Sequence, residues 1–192
     1  MGFYAYSGDS YASVLCSALS ADLRSVALRT HLQAQRLGMT VLNPDQFMKE
    51  VISMKDCNCG YCMGGEILAG FGIKICDLKV SQLILFKEQS HPGRVIVAYK
   101  DHVSELVNIS AEERALFFED VATAANAIHK AFSPDKVNYG AYGDGGCHLH
   151  FHLVPKYQGE FEWGTPFAMN PGKTYLTEEE YAAMIEKIKA AL

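Results

Sequence analysis

No apolar run in this chain approaches the roughly 20 residues that a bilayer-spanning helix needs, which argues against a membrane protein. Positive charge is also scarce. Only 17 Lys and Arg stand against 22 Asp and Glu, for a formal net charge of −5. That balance argues against a general binder of nucleic acid or of anionic membrane surfaces, although a local basic patch could still hold a phosphate. The first residues, Met1 to Asp9, lack the basic region and the clean apolar core of a secretory signal. A myristoylation reading of Met1-Gly2 fails because Tyr6 stands where Ser or Thr is needed. The chain is therefore expected in the cytoplasm. It has no internal repeat and no low-complexity segment.

What is present is ordinary globular material: 192 residues, 49% hydrophobic and 20% charged. That suffices for one domain, or one domain with an extension, around a real core. Six cysteines, Cys16, Cys57, Cys59, Cys62, Cys76 and Cys147, are expected to stay reduced in the cytoplasm. Their clustering at 57 to 62 then suggests metal before disulfides.

Residues 147 to 155 carry the densest chemistry. His148, His150 and His152 alternate with Leu149, Phe151 and Leu153, and Pro155 follows. On a strand, successive side chains point to opposite faces, so all three imidazoles share one face and the apolar residues take the other. Pro155 is expected to end the strand, because it cannot donate to a ladder. Three functions suit such a row. It is a polar surface face, a metal site of the His-x-His kind, or a phosphorus-attacking nucleophile flanked by two helper histidines.

The stretch resembles the signature of the histidine triad (HIT) family, His-φ-His-φ-His-φ-φ with φ apolar, here His148 to Val154. Upstream, that family has a Pro-Gly-His, an apolar strand and a Lys-x-His. This chain has Pro92-Gly93-Arg94, then Val95 to Tyr99, then Lys100-Asp101-His102. A helix and a strand lie between the two blocks, as in the family, and the resemblance runs from about residue 57 to 158. It implies an α+β fold, an antiparallel sheet of about five strands with one long helix packed on it. Helical extensions flank it, giving segments 1–55, 56–160 and 161–192. It also implies a homodimer and a nucleotide substrate.

In the family the middle histidine is the nucleophile, so His150 is expected to attack the α-phosphorus of a nucleotide and form a covalent nucleotidyl-imidazole. His152 then binds phosphoryl oxygens. Arg94 stands where the family has histidine; it keeps a positive charge for phosphate but cannot shuttle protons. Asn138 matches a phosphate-binding asparagine. Glu88 is the nearest equivalent of the acid that binds ribose. Leu83, Leu85 and Phe86 read more readily as core than as a base pocket. Before the triad, many members carry Gly-Gln-Ser or Gly-Gln-Thr, where this chain has Gly145-Gly146-Cys147. The glycines can offer backbone N–H groups to an anion. The missing hydroxyl counts against a phosphoramidase.

Cys59 and Cys62 have metal-ligand spacing but make half a site. Some members of the superfamily, the galactose-1-phosphate uridylyltransferases among them, complete such a pair with the Lys-x-His histidine and the first triad histidine. The resemblance thus implies a structural zinc on Cys59, Cys62, His102 and His148, with Cys57 able to replace Cys59. His148 then serves the metal and not a proton relay. Cys16, Cys76 and Cys147 are expected to be buried small hydrophobes.

The implied function is hydrolysis of dinucleoside polyphosphates or related nucleotide conjugates. A nucleotidyltransferase of the same superfamily and a non-catalytic, zinc-stabilised nucleotide-binding protein are the alternatives.

Elsewhere the sequence predicts helices over 10–37 and from Asn43, which packing or dimer contacts would explain. Strands are predicted over 73–80, 82–87, 94–99 and 136–142. Ser110 and Glu113 form a capping box that opens a long helix to Phe132, with a buried stripe of Leu116, Phe117, Val121, Ala124 and Ile128. Thr177 and Glu180 cap a last helix. Ala183, Met184, Ile188 and Leu192 are its expected apolar face, and a solvated or dimer-forming role is expected for it.

Overall fold

Runs of β-branched and aromatic residues become five antiparallel strands: β1 (Gly72–Asp77), β2 (Ser81–Phe86), β3 (Val95–Tyr99), β4 (Lys136–Gly140) and β5 (His150–Lys156). The computed structural model describes Gln33, Arg36, Asp56 and residues 58–192 except Gly145 and Gly146. The chain divides into two units, Met1–Asp56 and Cys57–Leu192. In the first, Gln33 and Arg36 are helical and exposed; the helices expected over 10–37 and from Asn43 otherwise lie outside the described residues.

In the second unit the strands lie in the order β1-β2-β3-β5-β4, so the histidine strand is interior. Two short helices, α1 (Gly60–Met63) and α2 (Gly65–Ala69), precede the sheet; α3 (Ala111–Phe132) joins β3 to β4, and α4 (Glu178–Lys189) closes the chain. β5 runs past Pro155 to Lys156, where Pro155 pairs with Val137 of β4. The expected stop at Pro155 fails for a reason of register. β3 follows β5 only as far as Leu153, so at Pro155 the strand has β4 alone beside it.

The sheet has two covered faces. Cross-strand partners share a face, so Val97 with Phe151, and Val95 with Leu153, turn toward α3. There Phe117, Val121, Ala124 and Ile128 are buried, whereas Leu116 is exposed and Asp120 is buried in its place. The Asp120 carboxylate accepts from Lys79 N (3.1 Å), Val80 N (2.9 Å) and Ser81 Oγ (2.7 Å). A buried acid thus satisfies the turn between β1 and β2, and the apolar pattern could not show it. Ser110 accepts from Glu113 N and Glu113 from Ser110 N, both at 3.1 Å, as the capping box requires.

His150 pairs with Ala98 and His152 with Ile96, on the other face. That face carries a core of Leu68, Ile84, Phe86, Ile96 and Ala98, with Tyr61 and Phe71 packed against it. Leu83 and Leu85, fully buried on the α3 side, are core. The last helix is no solvated rod. Tyr181 and Ile188 are buried, Ala183 and Leu192 are exposed, and Lys130 Nζ donates to Ala191 O at 2.9 Å, tying α4 to α3. Its apolar stripe is centred a residue or two away from the one the pattern predicts, and its partner is α3 of the same chain.

Candidate active site and metal centre

Cys59 is the N-cap of α1 and Cys62 lies one turn in, so the helix start sets the distance between the thiols. Gly60 between them has no room for a side chain: a Cβ there would lie 2.9 Å from Phe71 and 3.1 Å from Ile67. Its role is close packing, more than ease of turning. His102 lies just after β3 and His148 just before β5, so the two central strands deliver both imidazoles to the thiols. Cys59 Sγ is 3.4 Å from His148 Nδ1, Cys62 Sγ is 3.5 Å from the same atom, and Cys62 Sγ is 3.2 Å from His102 Nδ1. All four ligand atoms lie within 4.8 Å of one another.

These distances fit a tetrahedral metal. Zinc bonds of about 2.3 Å to sulfur and about 2.1 Å to nitrogen give S···N edges of about 3.6 Å. The ring orientation agrees. His148 Nε2 donates to the Tyr99 carbonyl oxygen at 2.8 Å, which leaves the Nδ1 lone pair facing the thiols. Burial, reinforced by His102 and His150, pulls the His148 pKa down to about 4, so the ring is neutral and able to ligate. Cys57, the alternative ligand, lies outside the described residues. Cys147 is exposed and Cys76 half-buried, so neither is the buried hydrophobe expected.

One step along β5, His150 Nδ1 lies 2.6 Å from the His148 carbonyl oxygen and donates to it. Nε2 is then the lone-pair nitrogen of this ring. The Tyr61 ring stacks on His150 and tilts against His148, with centroids 4.9 Å away in both cases. Burial lowers the His150 pKa, so it too is neutral at ordinary pH. His152 is next, its ring 5.2 Å from that of His150. Burial, with the Arg94 charge second, drives its pKa down to about 2.

Arg94 reaches this group from the end of the β2–β3 connection. Its Nη2 is 3.2 Å from His152 Nδ1. Asn138 shares the triad face at the β4 edge, lining an open groove of about 500 Å³ with Lys136, Lys156 and Trp163. Gly145 and Gly146 lie outside the described residues. Glu88 stands apart from the expected ribose contact: it is 2% exposed and its Oε1 accepts from Lys173 N (3.2 Å) and Thr174 N (3.3 Å).

Two contributors escaped the sequence reading. Tyr61 was hidden inside the cysteine cluster, where the thiols claimed the chemistry. The segment after β5 carried only turn signals, yet Phe167, Ala168 and Met169 close on Arg94. Nothing in a turn-rich stretch signals which side chains it will cover.

Two cysteines and two histidines, half of them buried, thus form a cluster able to hold a metal ion beside a row of histidines on one strand. Residues 73–159 match the family model described as the HIT domain. Adenosine 5'-monophosphoramidase hnt1 of Schizosaccharomyces pombe is 24% identical over 127 residues, covering 62% of this chain and 88% of that protein. Among solved structures, a histidine triad (HIT) protein from Sinorhizobium meliloti 1021 superposes with a TM-score of 0.62 at 24% identity, over 67% of this chain and 95% of that one. A histidine triad protein from Marinobacter aquaeolei VT8 gives a TM-score of 0.62 at 23% identity, over 69% and 97%. The two structures share the five-stranded α+β fold with this chain.

Proposed function

We propose that this chain is a nucleotide hydrolase that attacks the α-phosphorus of dinucleoside polyphosphates or related nucleotide conjugates through His150. The observation that carries the reading is the Nδ1–H bond from His150 to the His148 carbonyl oxygen at 2.6 Å. It commits the proton to Nδ1 and leaves Nε2 as a nucleophile at neutral pH. The similarity to a protein named as a nucleotide phosphoramidase supports a nucleotide substrate.

In the proposed reaction the His150 Nε2 lone pair forms a bond to the α-phosphorus as the bond to the leaving group breaks. The bonding pair departs with the leaving group. Water then attacks the same phosphorus, the phosphorus–nitrogen bond breaks, and nucleoside monophosphate leaves with neutral His150 restored. The His152 ring and Asn138 face the charge that develops on the phosphoryl oxygens. Preorganised donors of this kind contribute on the order of 3 kcal/mol each. A phosphate leaving group departs as a stable anion, whereas an amine must be protonated as it leaves. With Cys147 in place of a hydroxyl residue, the phosphoanhydride is the better fit.

Cys59, Cys62, His102 and His148 would hold a zinc ion, which when bound fixes the connection before β1 to the ends of β3 and β5. The homodimer belongs to the same reading. β4 is an edge strand, and Tyr139 on it and Tyr142 just beyond are about half exposed. Light scattering tests it, and a monomeric mass would remove it.

The decisive experiment follows mononucleotide release from adenine and guanine dinucleoside polyphosphates and nucleoside phosphoramidates, with the protein and its His150→Ala variant. Release by the parent alone supports the reading and ranks the leaving groups. Equal release by both, or none from any substrate by the folded parent, overturns it.

A further inference from the structure

Arg94 is fully buried, which is unusual for a residue expected to grip substrate. Its guanidinium carbon sits 4.3 Å from the Phe86 ring centroid and 5.1 Å from that of Phe167. Nη1 donates to Ala168 O (3.3 Å) and Nη2 to Met169 Sδ (3.3 Å) and His152 Nδ1 (3.2 Å). Its Nε is buried and has no partner among the described residues. The backbone is fixed as well: Arg94 N donates to His91 O (3.1 Å), and Arg94 O accepts from Gln89 Nε2 (3.1 Å). A side chain held at this many points is not free to reach for phosphate.

The contact with His152 has a direct consequence. Guanidinium has donors and no acceptor, so a hydrogen bond to Nδ1 requires a lone pair on Nδ1. The single proton of a neutral His152 then sits on Nε2. His150 is set the other way, with its proton on Nδ1 and its lone pair on Nε2. Two neighbouring rings on one strand face therefore carry opposite tautomers, one a nucleophile and the other a donor.

We propose that Arg94 is a positioning residue: it fixes His152 as the Nε2–H tautomer, ready to donate to a phosphoryl oxygen, and does not itself contact the substrate. The consequence for turnover rests on the hydrolase reading above; the tautomer itself does not. The buried charge is compensated by Glu88, whose Oε2 is also buried without a partner among the described residues, and by the two aromatic faces. Lysine is a poor substitute, because a point charge on a flexible stem cannot hold the same three directions between two rings.

The test is nitrogen-15 NMR of the zinc-loaded full chain, labelled at histidine and assigned through a His152→Gln variant. Wild type is expected to show His152 with protonated Nε2 and bare Nδ1. Arg94→Met and Arg94→Lys are expected to give a mixture of tautomers or an imidazolium at His152. AMP binding by these variants should stay within about 3-fold of wild type, while kcat falls roughly 100-fold or more, as misassigned tautomers do elsewhere. Protonated Nδ1 in wild type overturns the proposal, as does an unchanged His152 in either variant that folds. A large loss of AMP affinity with the tautomer intact would instead make Arg94 a phosphate ligand. The NMR result stands whether or not the chain turns over any nucleotide, so failure of the hydrolase reading remains separable.

Discussion

His148 donates from Nε2 to the carbonyl oxygen of Tyr99 at 2.8 Å, and its Nδ1 therefore faces the sulfurs of Cys59 and Cys62. One hydrogen bond between the ends of β3 and β5 thus decides which nitrogen can bind a metal. Purified protein is expected to hold about one zinc ion per chain by elemental analysis. Cys62→Ser and His102→Ala should lose it. With free zinc at about a thousand times its Kd, the metal contributes about 4 kcal/mol to folding, to be read as the drop in denaturation midpoint on chelation. A metal-free protein of unchanged midpoint would remove the site.

His150→Ala is expected to lower kcat on a dinucleoside polyphosphate by at least about 10⁴-fold, since removing a nucleophile disables the whole chemical route. Rapid quenching should trap nucleotidyl-protein in wild type, and mass spectrometry should place the adduct on the peptide with His150. An adduct elsewhere, or normal turnover by the variant, counts against the mechanism.

Acid should destabilise this protein well before its carboxylates titrate. Burial holds His152 at a pKa of about 2 and lowers His91, which sits 2.8 Å from Glu162. Both are depressed below the unfolded histidine, so the unfolded chain binds more protons in acid. Their stabilising effect is complete above about pH 6.5 and is lost as pH falls below it. For His152 alone the loss between pH 7 and pH 5 is about 2 kcal/mol. Urea midpoints at the two pH values test this, and equal midpoints would refute it.

Asp120→Ala should destabilise the fold by about 2–4 kcal/mol, because it strips Lys79 N, Val80 N and Ser81 Oγ of their acceptor. Zinc content should not change, since α3 covers the sheet face opposite the one that carries the triad and Tyr61. A loss under about 0.5 kcal/mol in urea denaturation would mean that water replaces the carboxylate.

Much of the fold was legible because it rests on local rules. Period-two alternation marked β5, and the Ser110 and Thr177 boxes marked the starts of α3 and α4 within a residue. The errors fell where a second element decides. Pro155 reads as a stop, yet the neighbouring ladder has already ended there. Asp120 falls outside the apolar stripe that the pattern marks, yet it closes a turn 40 residues away in sequence.

The sequence by itself determined the chemical inventory: three same-face histidines, two thiols at ligand spacing, a capped central helix and enough apolar pattern to build the sheet. Those follow from periodicity and residue type, which need no partner. Tertiary structure alone decided which nitrogen of each histidine carries its proton. His148 answers to Tyr99, His150 to its neighbour's carbonyl and His152 to Arg94. It also placed Arg94 out of solvent under Phe167 and against His152. A tautomer is set by the atom that meets the ring, and two of those three atoms arrive from β3 and the connection before it, whose approach only packing can fix.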